Sequence, residues 1–389
     1  MAFKEFSDRQ GGEAARADVV VAGGGPAGSA TAMSLAQSGM RVVIVERAEM
    51  PKMRVGETLP PSIRVQLEKL GVLEEFLKAD HGPSVGNRSA WGSKETWDND
   101  FIFNPYGIGW HVDRQKFDAM LLDAAVRRGA KLINGMAVAE FRRATDGDWR
   151  LKISGASGEF WIGARFVVDA TGRASAFARL CGVRRDSIDK LIGIAGYLSS
   201  ARVNASPRVT LVEAVEEGWW YSALLPDDKL VVVYMTDADL DSSRQARTAE
   251  CWLALLEQTE HTRARVKGNN YSLEGEPQLV SANSSRLEKV VGDGWLAVGD
   301  AAASYDPLSS QGISTALALG IKAAAAIRNF FNNEPAALDN YESAIEKMFD
   351  EYIANRARYY SIERRWPDSP FWQRRQALAE TASRQIPNR

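Results

Sequence analysis

The sequence is poor in cysteine, in histidine and in net charge. Only Cys181 and Cys251 occur in 389 residues, which excludes a disulfide framework and a cysteine-rich metal site and is typical of the reducing cytoplasm. The three histidines lack the His-x-x-x-His spacing of a zinc hydrolase. Lysine and arginine number 48 against 50 acidic residues, a net charge of -2. Such a balance is unsuited to a phosphate backbone, so we expect no nucleic-acid partner.

Long apolar runs are also missing. The first residues, MAFKEFSDRQ, are charged and lack the apolar core of a secretory signal. The longest apolar helical stretch, 312–331, is interrupted by Lys322 and Arg328, so we expect no membrane span and a cytoplasmic location. Residues 1–17 are expected to be a flexible N-terminus. The length suits two domains, or one α/β domain carrying an insertion.

A βαβ unit is predicted close to the N-terminus. Apolar, β-branched runs at 18–23 and 41–46 enclose a small-residue helix that begins at Pro26. A strand, a tight turn, a helix and a second strand within about thirty residues predict a parallel strand pair.

A glycine pattern joins the first of these strands to the helix. Gly23 allows a tight turn, Gly25 lets the backbone approach a pyrophosphate, and Gly28 lets the helix pack against the strand. Glu46 ends the second strand, where a carboxylate can bind ribose hydroxyls. Together they predict dinucleotide binding by the N–H groups at the start of the helix. The alternative is a glycine-rich turn without a function.

Two further acidic residues follow apolar runs. Asp169 is followed by Arg173 and Arg179, and a structural role is as good an interpretation as a functional one. Asp300 follows the run GWLAV and can bond a second polyol. Residues 306–313 then lead into a long helix whose first N–H groups favour developing negative charge on a ligand.

The remaining pattern predicts an inserted sheet. Runs such as RVTLVEAV, GWWYSALLP and KLVVVYMT are separated by turns at 204–207 and 226–228, as in an antiparallel sheet. We therefore predict a mixed α/β fold, α+β overall, with a Rossmann-like domain in two pieces. The predicted boundaries are 18–184 and 286–334 for the Rossmann-like domain, 185–285 for an inserted β-sheet substrate domain, and 335–389 for a C-terminal helix with an aromatic and basic tail.

Taken in order, these motifs resemble the FAD-dependent monooxygenases of the p-hydroxybenzoate hydroxylase fold, which include the flavin-dependent halogenases. The resemblance runs from Asp18 to about Phe331 and implies FAD as the cofactor. It implies that the ADP half is held by Gly23, Gly25, Pro26, Ala27, Gly28, Glu46 and Arg47. It implies that the rest of FAD is contacted by Arg114 at the pyrophosphate, by Val138, Asp300 and Pro307, and by Gly312 and Ile313 at the pyrimidine edge of the flavin ring.

Within that fold, residues 55–61 (VGETLPP), the pair at 91–92 and the run at 218–221 look like the halogenase branch. Two departures favour an oxygenating relative instead. Halogenases carry a lysine shortly before the Trp-Gly pair, where this chain has Ser84. Tryptophan halogenases carry a glutamate where this chain has Ser309.

A narrower resemblance is carried by NPYGIGWHVDR (104–114), SYDPLSSQGIS (304–314) and the tail 357–375. These segments resemble the flavoprotein maturases of tryptophylquinone enzymes, which serve amino-acid oxidases and quinohemoprotein amine dehydrogenase. The resemblance implies a protein substrate, a tryptophan-containing oxidase or dehydrogenase subunit. It implies hydroxylation through a flavin C4a-hydroperoxide, with O2 and with electrons from NAD(P)H or a partner flavin reductase.

Three alternatives stay open at this point. The first is a small-molecule aromatic hydroxylase or halogenase-like enzyme of secondary metabolism. The second is a prenyl reductase of the same fold, and the third is a non-catalytic FAD-binding maturation chaperone.

The candidate substrate wall is the inserted sheet. Trp219, Tyr221 and Tyr234 are the candidates, with Trp220 on the opposite face of the strand, and ordinary sheet core is the alternative. Glu57 is expected beside the flavin ring or as a cap of the following helix.

Two candidates belong to the loop before the long helix, and one cluster belongs to the tail. Gln311 and Gly312 are catalytic candidates because the helix start can supply positive partial charge. The tail is either packed on the FAD domain or a docking surface for a protein substrate, since it is rich in residues that suit interfaces. These residues are Tyr359, Tyr360, Arg364, Arg365, Trp366, Phe371, Trp372, Arg374 and Arg375.

Overall fold

The computed structural model describes residues 16–49, 55–201 and 208–385, with side chains to residue 377. The predicted turn at 204–207 and almost all of the predicted flexible N-terminus lie outside these residues. Residues 16 and 17, assigned to that N-terminus, belong to the first strand instead. The mixed α/β prediction is confirmed, since the chain forms two large sheets with helices packed on them.

The first sheet is the Rossmann-like one. Its strands are β1 (Arg16–Ala22), β2 (Val42–Glu46), β8 (Lys131–Asn134), β9 (Met136–Arg143), β10 (Trp149–Gly155), β11 (Gly158–Asp169), β20 (Val291–Gly292) and β21 (Trp295–Ala297). Its core is parallel in the order β8-β2-β1-β11-β21, and β9, β10 and β20 extend it by antiparallel pairing. β1 and β2 are almost completely buried, because helices cover both faces of a parallel sheet.

Eleven α-helices occur in the described residues. They are α1 (Pro26–Ala36), α2 (Ile63–Lys69), α3 (Leu73–Lys78), α4 (Arg114–Arg127), α5 (Ala176–Leu180), α6 (Asp241–Gln245), α7 (Ala249–Glu257), α8 (His261–Gly268), α9 (Gly312–Phe331), α10 (Ala337–Ile362) and α11 (Pro370–Gln385). α1 and α9 lie close together because their contact is made of small residues. A Cβ added at Gly320 would lie 2.7 Å from Cβ of Ala30.

The second sheet is antiparallel apart from one pair. Its strands are β5 (Gly86–Ala90), β6 (Trp97–Asp100), β13 (Leu191–Ser199), β14 (Val209–Val215), β15 (Gly218–Leu224), β16 (Leu230–Asp237), β17 (Ser272–Leu273) and β18 (Gln278–Ser281). Their order is β17-β13-β16-β15-β14-β5-β6, β18 also pairs with β13, and the β5–β14 pair is parallel. Because β5 and β6 belong to this sheet, the predicted boundary that assigned all of 18–184 to the first domain is corrected. Both strands are short and polar, so no apolar alternation marked them.

Two small three-stranded sheets connect these layers. One consists of β12 (Arg185–Ser187), β19 (Ser285–Leu287) and β22 (Ala303–Ser304). The other consists of β3 (Thr58–Leu59), β4 (Gly82–Ser84) and β7 (Gly109–His111).

The end of α10 and the start of α11 pack against one face of the second sheet, whereas Tyr341, Ile345 and Phe349 of α10 belong to the core of the first sheet. Tyr360, Phe371 and Trp372 are completely buried against the second sheet in a cluster with Trp219. Arg375 is also buried and binds Asp237 of β16 at 2.8 Å. The tail therefore covers the inserted sheet rather than the Rossmann-like domain. These buried residues cannot form a docking surface, whereas Tyr359 remains exposed. Within the described ranges, none of the helices combines the length and apolar character that crossing a bilayer would require.

Candidate active site

A cavity of about 530 Å³ lies where the first sheet meets the second. Its wall includes the carboxyl ends of β1 and β2 and the residues that follow β11 and β21. Its other side is formed by β15, β16 and the end of β18. In open parallel sheets, ligands bind outside the carboxyl ends of the strands, so this cavity is the candidate site.

The glycine turn is sterically obligatory. Gly23 has a φ of 110°, and a Cβ there would lie 2.2 Å from the carbonyl oxygen of Ala170. A Cβ on Gly28 would lie 2.0 Å from the carbonyl oxygen of Gly23. Gly23, Gly25, Pro26 and Ala27 line the cavity, whereas Gly28 lies behind the turn and lets α1 approach it. Since no side chain caps α1, its first N–H groups remain available to an anion.

Glu46 lies beside this turn at the end of β2. Its Oε2 accepts from the N–H of Gly24 at 2.6 Å, and its Oε1 accepts from the N–H of Ala48 at 2.8 Å. Each carboxylate oxygen keeps a second lone pair for a hydroxyl donor. Glu46 and the neighbouring Arg47 both line the cavity, as does Val138 on β9.

The start of α9 forms another part of the wall. Asp306, Pro307 and residues 310–313 line the cavity. No side chain caps α9, and a Cβ on Gly312 would meet open space. A ligand at this point would contact bare backbone donors at a helix N-terminus, which favour negative charge. Asp300, which the sequence also predicts to contact the ligand, lines the cavity together with Arg173. Nε of Arg173 lies 3.6 Å from Oδ2 of Asp300.

Arg114 is a fixed cation in the wall. Its Nε and Nη2 donate to Asp118 at 3.1 and 3.0 Å, and its Nη1 donates to the carbonyl of Val55 at 3.2 Å. Because the guanidinium is held by a carboxylate and a carbonyl, it is already oriented when a ligand enters.

Glu57 lies behind the wall rather than on it. It is 2% exposed, while its neighbours Gly56 and Thr58 line the cavity. Oε2 accepts from the N–H of Gly56 at 2.9 Å, and Oε1 has no hydrogen-bond partner in the described part of the chain. Burial raises the pKa of Glu57 to about 7, so it can gain or lose a proton near neutral pH. It does not cap the following helix, because α2 begins at Ile63.

A buried hydrogen-bonded chain leads away from the cavity beside Glu57. The hydroxyl of Tyr221 lies 2.8 Å from Oγ1 of Thr58, which lies 3.0 Å from Oγ1 of Thr210. Thr210 is bonded in turn to Nε2 of His111 at 3.1 Å. Burial lowers the pKa of His111 to about 3, so this imidazole is neutral. Sequence analysis missed Thr58 and Thr210, which lie on strands of different sheets.

The predicted substrate residues are not brought together. Tyr221 lines the cavity. Trp219 shares its face of β15 but lies under the C-terminal helices, where its Nε1 donates to the hydroxyl of Tyr360 at 3.1 Å. The prediction for Tyr234 is corrected. It pairs with Trp220, stacks on that ring with centroids 4.9 Å apart, and faces away from the cavity.

This donor set fits FAD. Backbone N–H groups at two helix starts and the guanidinium of Arg114 suit a pyrophosphate and a flavin pyrimidine edge, and Glu46 suits a ribose. Met235, Val280 and Ala282 add an apolar wall that suits a flavin ring or an aromatic substrate.

The comparisons with known proteins agree with this geometry. The FAD binding domain family matches residues 16–355 of the chain. A putative FAD-dependent oxidoreductase, LodB of Marinomonas mediterranea, is 32% identical over 93% of this chain and 97% of its own length. A tryptophan 2-halogenase of Chondromyces crocatus is 27% identical over 93% of this chain and 71% of its own.

Solved structures share the fold. The myxobacterial chondrochloren halogenase CndH superposes with a TM-score of 0.82 at 24% identity, over 95% of this chain and 89% of its own. The peptidyl tryptophan dihydroxylase QhpG superposes with a TM-score of 0.71 at 24% identity, over 93% of this chain and 79% of its own. From the family match, the LodB relative and the cavity together, we conclude that this chain belongs to the FAD binding domain family and is an FAD-dependent oxidoreductase.

Proposed function

We propose that this protein is a flavin-dependent monooxygenase that hydroxylates a tryptophan side chain of a partner protein during biogenesis of a tryptophylquinone cofactor. The observation that carries the choice of oxygenation over halogenation is the lining of the cavity. Among the described residues, arginines line it but no lysine does. Ser84, which stands where halogenases carry their lysine, is completely buried in β4 and lies outside the lining.

The comparisons support the proposal in two ways. LodB is similar over almost its full length and carries the name of an oxidoreductase rather than a halogenase. QhpG, which has the same fold, is described as a peptidyl tryptophan dihydroxylase essential for tryptophylquinone cofactor biogenesis. The proposal gives this chain the same class of substrate.

The residues of the chain would have distinct tasks. Bound FAD supplies the activation of O2, and the protein binds, orients and shields it. The turn from Gly23 to Gly28 and the start of α1 would hold the pyrophosphate with Arg114, and Glu46 would hold the ribose. The backbone donors at Gly312 would stabilise negative charge at the pyrimidine edge of the flavin.

Proton handling and exclusion of water would come from the other wall. Glu57 would hold a proton near neutral pH, and the hydroxyl of Tyr221 lies at the cavity end of the buried hydrogen-bonded chain. Met235 and Val280 would keep water from the aromatic substrate. The sequence has one glycine fingerprint for a dinucleotide, so electrons would come from transient NAD(P)H or a partner flavin reductase. We place the reaction in the cytoplasm, consistent with Cys181 and Cys251 being free thiols.

The test uses the FAD-loaded protein with a reductant, O2 enriched in a heavy isotope, and a tryptophan-containing oxidase or dehydrogenase subunit. We expect a mass gain of isotopically heavy oxygen confined to one tryptophan-containing peptide. An unchanged partner mass with all components present would overturn the proposal. The matched control is the double variant Gly25→Val and Glu46→Ala, which should not retain FAD. If that variant still supports maturation, the protein is a non-catalytic chaperone.

A halogenase is the second candidate. It is favoured by the similarity to a tryptophan 2-halogenase and by the segment beginning at Val55, whose residues Val55, Gly56 and Thr58 line the cavity. The same reaction run with bromide and free tryptophan separates the two candidates. Incorporation of bromine instead of oxygen would establish halogenation.

A further inference from the structure

The loop before α9 is held by the buried carboxylate of Asp306, which is bonded to the loop itself and to α10. Asp306 is 1% exposed, and its Oδ1 accepts from the N–H of Leu308 at 2.9 Å. Its Oδ2 accepts from the hydroxyl of Tyr360 at 2.7 Å and from Nε of Arg356 at 3.1 Å. Its own N–H donates to the hydroxyl of Tyr352 at 2.8 Å. All three partners outside the loop lie on α10, so this helix helps to determine where the loop lies.

Arg356 links the loop before α9 to Asp189, which lies just before the first residue of β13 in the second sheet. Its Nη2 lies 2.9 Å from Asp189, while its Nε binds Asp306, and all three side chains are buried. Asp189 also accepts from the N–H groups of Leu191 and Ser284, near the points where the chain enters and leaves that sheet. One planar guanidinium thus pairs with two carboxylates through two different nitrogens, whereas a lysine offers a single nitrogen without this fixed planar geometry.

Tyr360 ties the same loop to the body of the second sheet. Its hydroxyl donates to Asp306 and accepts from Nε1 of Trp219 at 3.1 Å. Trp219 lies on the same face of β15 as Tyr221, which lines the cavity. The guanidinium of Arg375, 5.1 Å from the Tyr360 ring centroid, helps to fix this ring. Two consecutive hydrogen bonds therefore connect β15, which carries Tyr221, to the loop before α9.

We propose that Arg356 and Tyr360 are positioning residues that set the flavin environment by fixing the loop of residues 306–312. Neither residue lines the cavity. They act through Asp306 on the backbone donors at the start of α9, and the bond to Trp219 couples those donors to the second sheet. The proposal depends on FAD as the cofactor and not on the identity of the substrate.

The test compares conservative variants with matched neighbours on α10. The test variants are Tyr360→Phe and Arg356→Lys, and the controls are Tyr359→Phe and Arg358→Lys, whose side chains are exposed. Each FAD-loaded protein is equilibrated with a redox dye, and the ratio of reduced to oxidised flavin is measured at one dye potential. Visible circular dichroism of the bound flavin is the second readout.

We expect the ratio of reduced to oxidised flavin to fall at least threefold in Tyr360→Phe and about tenfold in Arg356→Lys. The reason is that a displaced helix start stabilises the negative charge of reduced flavin less well. The circular dichroism should change in both test variants and in neither control. If both readouts superpose on the wild type while thermal stability alone falls, the two residues are merely structural and the proposal is wrong.

Two features keep the result interpretable. Trp219→Phe removes the indole N–H donor but keeps an aromatic ring at this position. The double variant Trp219→Phe and Tyr360→Phe should change the ratio of reduced to oxidised flavin no more than Tyr360→Phe alone. A fully additive double variant would contradict the coupling through Tyr360. Because no substrate is present, absence of tryptophan hydroxylation would refute the proposed function without affecting these measurements.

Discussion

The two walls of the cavity are built from different material. The wall on the first sheet is mostly backbone, namely a glycine turn and two uncapped helix starts, with Glu46 and Arg114 beside them. The wall on the second sheet is made of side chains, of which Tyr221 and Met235 are the clearest. A backbone wall requires glycine at particular positions and is therefore visible in a sequence. A side-chain wall depends on which face of each strand meets the cavity, and pairing register decides that.

The largest effect is expected on the backbone wall. Gly28→Val should abolish FAD binding and lower the free energy of unfolding by about 3 kcal/mol or more, because its side chain would overlap the carbonyl of Gly23. FAD titration and urea denaturation measure both quantities. Gly268→Ala, with nothing within 4 Å of the added Cβ, should leave both nearly unchanged. Normal FAD affinity in Gly28→Val would contradict the claim that the wall on the first sheet requires glycine at this position.

The next effect concerns Glu57, at the boundary between the walls. Burial raises its pKa to about 7, so the stabilisation associated with its protonated form is complete below pH 4.5 and is lost as the pH rises through 7. Wild type should therefore lose up to about 3 kcal/mol of unfolding free energy relative to Glu57→Gln between pH 5 and pH 8. Urea denaturation at both pH values measures this difference, with Glu68→Gln, at an exposed position of α2, as the control. Parallel pH profiles would mean that Glu57 does not titrate in this range.

A smaller effect is expected at Glu46, the side chain of the first-sheet wall that we propose binds the ribose. Glu46→Gln keeps the shape but loses the charge, and should weaken FAD binding ten- to thirtyfold, about 2 kcal/mol. Titration of the apoprotein with FAD measures the change, and the exposed Glu49→Gln is the control. An unchanged affinity would mean that backbone donors alone carry the binding.

The smallest effect separates the faces of the second sheet. Tyr221→Phe should lower the rate of substrate oxygenation about tenfold, since the loss of a buried hydrogen bond costs about 1.4 kcal/mol. Tyr234→Phe should change this rate less than twofold, because its ring faces away from the cavity. FAD affinity should remain within twofold of wild type in both variants. Equal rates of substrate oxygenation in the two variants would contradict the assignment of Tyr221 to the part of the cavity where the substrate reacts.

The wall on the first sheet could be predicted from the sequence because its main features, the glycine turn and the start of α1, lie in one short segment. The strand, the turn and the helix at Gly23–Gly28 are consecutive in the chain, and the positive φ of Gly23 and the close approach of Gly28 to Gly23 are local requirements. The contact of Gly23 with Ala170 adds a second requirement, which comes from a distant segment. Sequence reasoning failed at Tyr234, where the register with Trp220 reverses the expected face. It also failed at β5 and β6, whose place in the second sheet is set by pairing with β14 rather than by an apolar pattern.

The tail shows the same limit in another form. Its aromatic and arginine residues suit either a buried core or a docking surface, and composition cannot separate the two. Burial of Phe371 and Trp372 against the second sheet decided the matter for those residues.

The amino-acid sequence by itself determined that one end of a parallel sheet carries a glycine turn followed by a helix, because this glycine spacing suits a tight turn and a close contact of helix and strand. Only the tertiary structure decided which distant groups meet there. The buried carboxyl of Glu57, the chain from Tyr221 to His111 and the Asp306–Arg356–Asp189 bridge join segments far apart in the sequence. Such groups gain their properties from burial and mutual contact, which arise only once the chain has folded.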